Sequence, residues 1–131
     1  MPATDEAISV AVSACRAADD KQATDLTLLD VADLLALVDL FVIVSARTDR
    51  HLKAVHDGVE DTLRTEHGRK PLRREGTPDA GWILLDYGDV VVHLFDEDQR
   101  NFYSLERLWA DVPQLEPLSG EALTQGGVVA R

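Results

Sequence analysis

The chain has 131 residues, of which 45% are apolar and 28% charged, and its formal charge is −11. That length suits one domain able to bury a real core, and the acidic balance excludes DNA or RNA as the main ligand, because phosphate backbones are repelled at long range. A single cysteine, Cys15, excludes an intrachain disulfide and points to a reducing, cytoplasmic setting.

The first residues, Met-Pro-Ala-Thr-Asp-Glu, lack the basic and apolar regions of a secretory signal. Residues 4–20 then read as a helix. Thr4 or Asp5 caps it, and Ile8, Ala11, Val12, Cys15 and Ala18 share one face. Cys15 is read as a small buried hydrophobe rather than a nucleophile. Residues 25–31 read as a strand, and 32–38 fit either strand or turn. Residues 39–45, Asp-Leu-Phe-Val-Ile-Val-Ser, are dense in β-branched and aromatic residues, as in a strand covered on both faces. Thr48 or Asp49 opens a second helix with Leu52, Val55, Val59 and Leu63 as its buried stripe. Gly68 closes it.

Residues 69–81 read as a polar loop carrying Arg69, Lys70, Arg73 and Arg74. Residues 82–95 form two apolar runs around Tyr87-Gly88, a hairpin signal. After them, Asp96 to Asp98 begin a turn or short helix, and Ser104 is expected to cap a final helix carrying Leu105, Leu108 and Trp109. Pro113 stops that helix, and residues 114–131 are expected to be a disordered tail. No apolar run approaches the ~20 residues of a membrane span. The order α, β, β, α, β, β, α predicts an α/β fold, one small mixed sheet packed with helices.

With Tyr87-Gly88 as a two-residue turn, Asp86 pairs with Asp89, Leu85 with Val90, Leu84 with Val91, Ile83 with Val92, and Trp82 with His93. One face then carries Ile83, Leu85, Val90, Val92 and Leu94 and must be core. The other carries Trp82, Leu84, Asp86, Asp89, Val91 and His93, with Phe95 beyond. An aromatic anchor among aliphatic residues with a polar rim is how a protein-docking patch looks. Cover by a helix of the same domain fits that pattern equally well.

Signs of chemistry are weak. Asp86, Asp89, His93, Asp96 and Asp98 are close in sequence, but Asp is favoured at turns and helix starts for other reasons. No metal-ligand spacing accompanies them. Ser45 to Asp49 contains no glycine, so the junction is neither a P-loop nor a dinucleotide fingerprint. His51, His56 and His67 on the second helix read as surface residues. No G-x-S-x-G elbow exists. No catalytic residue, metal or other cofactor is expected.

Several segments together resemble the ribosomal silencing factor family, also called Iojap-like. They are Asp39 to Ser45 followed by Arg50-His51 and the helix through Asp57 to Val59, then Glu75-Gly76, then Trp82 to His93. Arg100, Phe102-Tyr103 and Leu105 to Trp109 complete the match, which spans roughly residues 5–112. The resemblance implies a domain over residues 1–113 with nucleotidyltransferase-like topology but without that catalytic motif. It implies a translation repressor that binds the large ribosomal subunit at its fourteenth protein, on the face where subunits join, and sterically blocks joining when nutrients are scarce. It also implies that free members are often dimeric. The expected partner is a basic ribosomal protein, with no nucleic acid as main ligand and no membrane. The expected contacts are Trp82, Leu84, Asp86, Tyr87, Asp89, Val91, His93, Arg100 and Tyr103. The competing reading is a metal-dependent, nucleotidyltransferase-like enzyme using Asp86 and Asp89.

Overall fold

The computed structural model describes residues 2–104, 107, 109–124 and 127–128. Helix α1 spans Asp5–Asp20, where the Thr4 side chain accepts from the Ala7 N–H. Strands β1 (Thr24–Asp30) and β2 (Leu40–Ala46) pair antiparallel. Helix α2 spans Asp49–His67, between a Thr48 cap and a left-handed Gly68. Strands β3 (Arg73–Thr77), β4 (Trp82–Asp86) and β5 (Val90–Asp96) follow, then helix α3 (Glu97–Tyr103). Two-residue strands β6 (Gln114–Leu115), β7 (Leu123–Thr124) and β8 (Gly127–Val128) end the described chain.

Six strands form one sheet in the order β3-β4-β5-β2-β1-β6. The central pair, β2 and β5, is parallel, and its neighbours are antiparallel. The fold is therefore a mixed α/β sheet, as the element pattern predicts. Helices α1 and α2 lie on one face. Val10, Ala14, Leu52, Val59 and Leu63 pack there against Val42, Val44, Leu85, Val92 and Leu94, all at most 1% exposed. Burying each such leucine or valine contributes roughly 1.5–3 kcal/mol. The alanine-rich stripe of α1 lets its backbone come close to the sheet. Cys15 sits inside this layer, where burial first, and the nearby charge of Glu116 second, push its thiol up to about 12. It stays protonated and unreactive.

The hairpin register differs from the sequence expectation by two residues. Asp86 lies opposite Val91, Leu84 opposite His93, and Trp82 opposite Phe95. The turn is Gly88-Asp89, closed by the Tyr87 N–H donating to the Val90 carbonyl at 2.9 Å. Gly88 has φ of 92°, the first-position glycine that a type II′ turn demands. A shift of two preserves the pleat, so each side chain keeps its expected face.

Three further expectations need correction. Residues 73–77 are not loop but an edge strand, paired with β4 through all five residues. Ser104 does not open a helix. It ends α3 in the left-handed conformation, and Asp96 is the cap, its Oδ1 accepting from the Gln99 N–H at 2.8 Å. Leu105, Glu106 and Leu108 lie outside the described residues. Ordered structure also runs past 113, since Leu115 and Gln114 pair with Leu28 and Leu29. Residues 125, 126 and 129–131 of the expected tail lie outside the described residues. The ambiguous stretch 32–38 is turn, begun by the Leu34 and Leu35 N–H groups donating to the Val31 carbonyl.

Candidate protein-docking site

The sheet face opposite α1 and α2 has its own small core. Leu29, Val31, Ile43, Phe95 and Val112 are buried there, with Phe41, Trp82 and Trp109 packed against them in part. Helix α3 and the 109–112 turn cover the β1–β2 side. Helix α3 also packs on β5, and over β4 the cover stops, leaving Trp82, Leu84 and Asp86 half-buried.

Local backbone chemistry places Trp82. It opens β4 after a 3-10 turn at Pro78–Ala80, opposite Thr77. Gly76 adopts φ of 83°, and a Cβ there would stand 2.0 Å from the Trp82 carbonyl oxygen. Only glycine lets β3 close on β4 at this point. The indole then lies beside Phe95, its cross-strand partner.

Trp82, His93, Phe95 and Tyr103 line a cleft of about 230 Å³. The His93 and Phe95 rings are nearly parallel, with centroids 6.2 Å apart and 7° between planes. Tyr103 stacks on Phe95 at 5.6 Å. Phe41 meets His93 edge-on at 5.1 Å and Trp109 edge-on at 5.4 Å. Phe102, 78% exposed, continues the row beyond Tyr103, itself 49% exposed. The result is a contiguous row of rings, partly buried at Trp109 and open at Phe102.

His93 is the oddest member. Both its ring nitrogens are buried without a hydrogen-bond partner among the described residues. Burial lowers its pKa to about 4, so the imidazole is neutral at physiological pH. An unsatisfied buried polar group costs roughly 1–3 kcal/mol.

The expected contacts fall into three groups. Trp82, Leu84, His93 and Tyr103 share the open face, with Val91, only 7% exposed, at its floor. Asp86 and Asp89 sit at the hairpin end and already have work. Asp86 accepts from the Gly88 N–H at 2.8 Å and lies 3.6 Å from Arg73. Asp89 receives both Arg69 nitrogens, at 2.6 and 3.3 Å. These carboxylates hold a turn and a loop rather than facing each other across a metal. Tyr87 and Arg100 are the corrections. Tyr87 is 2% exposed and joins the helix-side core. Arg100 is 5% exposed and donates to the Ser45 and Thr27 hydroxyls, each at 2.9 Å. Neither presents its side chain at the surface.

Phe102 was missing from the expected contacts, and Phe95 stood at their margin. The period of two along β5 places Phe95 beside Val91 and His93. Phe102 has no such signal, because α3 is too short to show a stripe. The surface histidines do carry structural bonds. His51 takes the Arg47 N–H on Nδ1, and His67 Nε2 lies 2.8 Å from the Ser13 hydroxyl.

Comparison with known proteins identifies the family. A family model described as "Ribosomal silencing factor during starvation" matches residues 4–126. The ribosomal silencing factor RsfS of Bacillus subtilis is 38% identical over 106 residues, 81% of this chain and 86% of that protein. The chloroplastic protein Iojap of Zea mays is 34% identical over 114 residues, 85% of this chain and 48% of that longer protein. A crystal structure of a Chromobacterium violaceum protein superposes with a TM-score of 0.73 at 30% identity, covering 78% of this chain and 84% of that one. One from Bacillus halodurans gives 0.69 at 34% identity, covering 86% and 99%. Motifs, sheet order and relatives thus converge, and the chain belongs to the ribosomal silencing factor family.

Proposed function

We propose that this chain is a translation repressor that docks by its open β4–β5 face on the large ribosomal subunit, at the basic fourteenth protein of that subunit. Seated there it excludes the small subunit by bulk and slows translation when nutrients are scarce. No catalysis is involved. Trp82 is the anchor, Leu84 and Val91 the apolar floor, and Tyr103 with Phe102 the exposed rim. The observation that carries the reading is the accessible aromatic cleft at Trp82 on a body of charge −11. An exposed apolar patch of this kind marks an interaction site, and the charge suits a basic protein partner and speeds encounter with it. The setting is cytoplasmic.

Co-sedimentation with isolated large subunits tests this. The chain should pellet with them, and small subunits added afterwards should fail to join in proportion to the bound chain. Trp82→Ala should weaken binding by at least about tenfold, as loss of an interface anchor does. Undiminished binding by that variant rejects Trp82 as anchor. Sedimentation of the chain alone reads whether the same face pairs two free copies.

A further inference from the structure

We propose that the cleft walled by Trp82, His93, Phe95 and Tyr103 seats one arginine side chain presented by the basic protein partner. This rests on the docking reading above and names what the partner contributes to it.

Three aromatic rings and one imidazole meet in a cleft of about 230 Å³ that offers little polar surface. Such a site accepts either an apolar side chain or a cation. Aromatic faces carry negative quadrupole and attract a cation, Trp most strongly. Charge decides for the cation. Asp79 lies three residues before Trp82, and Asp96, Glu97 and Asp98 directly follow Phe95, with Asp79, Glu97 and Asp98 exposed. Arg100, on α3 beneath Tyr103, does not compete. Its guanidinium is buried and turned to the β1–β2 side by Ser45 and Thr27. The fourth wall does not repel a cation either, because His93 is packed between Phe41 and Phe95 and stays uncharged. A planar, weakly hydrated guanidinium stacks on rings better than a compact, strongly hydrated ammonium does, so arginine is preferred over lysine.

The test is a titration of the full chain, followed by the indole N–H resonances of its two tryptophans. The probes are the capped peptide Gly-Arg-Gly and its uncharged isostere Gly-citrulline-Gly. The Trp82 signal should shift saturably with the arginine peptide and much less with the citrulline one. The Trp109 signal, from a ring outside the cleft and packed edge-on against Phe41, serves as the internal control and should move much less. Tyr103→Leu keeps an apolar wall at a half-exposed position and removes one ring, so the fold is retained. It should weaken the arginine peptide by about two- to fivefold and leave the citrulline response unchanged. Equal responses to both peptides, or no response to arginine, overturn the proposal. Co-sedimentation separates the two levels. Wild-type chain that binds large subunits without preferring arginine in the cleft leaves docking intact and removes the cation seat. Absence of both removes both.

Discussion

The helix-covered face of the sheet and the face beneath α3 are built from alternate residues of the same strands, yet their chemistry differs. On the first, Ile83, Leu85, Val92 and Leu94 meet the apolar stripes of two long helices and are at most 4% exposed. On the second, Trp82, Leu84 and His93 lie on a face that a helix of seven residues and the 109–112 turn cover only in part. The covered face is aliphatic and interdigitated, as a core needs to be. The open face is aromatic, with half-exposed rings and an imidazole that has no hydrogen-bond partner among the described residues. The two sides of single strands thus differ in cover and in chemistry, and a one-residue step along β4 crosses from one to the other.

Neighbouring substitutions should expose that division. Leu85→Ala leaves a cavity beneath the helices and should destabilise the domain by about 2–5 kcal/mol in urea unfolding. A loss under about 1 kcal/mol would mean the helix layer is not the main core. Next comes pH. Burial holds the His93 pKa at about 4 against its ordinary 6.5, so the native state keeps it neutral while the unfolded chain takes a proton. Stability should therefore fall as pH drops from 6.5 towards 4, by up to about 3 kcal/mol. His93→Phe should flatten the unfolding profile in that window, and an unchanged slope would place the titration elsewhere. Arg100→Leu strands the Ser45 and Thr27 hydroxyls, at a cost of about 1–3 kcal/mol. It should act through stability, so subunit binding measured on folded protein should change little. Smallest is Leu84→Ala, one position from Leu85, which should cost under about 1 kcal/mol of stability while weakening subunit binding. A stability loss equal to that of Leu85→Ala would erase the distinction between the faces.

Much of this division is legible in the residues. Thr4, Thr48 and Gly68 mark helix ends by local hydrogen bonding, which needs no tertiary context. The two hairpin faces come out correctly although the register is off by two, because the pleat depends only on parity. The turn itself misleads. Tyr87-Gly88 reads as the corner, but Gly88 must stand first in it, which pushes Asp89 into the loop. Strand β3 is hidden by its charges, since Arg73, Arg74 and Glu75 look like a loop and are in fact an edge that solvent reaches. Ser104 has the chemistry of a cap at either end of a helix. Arg100 reads as a contact because it belongs to the segment that resembles the family, and only the three-dimensional approach of Ser45 and Thr27 reveals a buried strut. The accessibility of Trp82 is likewise a property of how far α3 reaches, which no local pattern encodes.

The parallel pairing of β2 with β5 sets the order in which a growing chain can fold. Leu40 waits for Val90, fifty positions later, before the middle of the sheet can close. Until then α1, α2 and the β1–β2 hairpin have only part of their packing surface. Such distant pairing slows folding. A ribosome must therefore release more than two-thirds of this chain before the open sheet face exists, so a fragment halted before Val90 would carry Trp82 but no cleft.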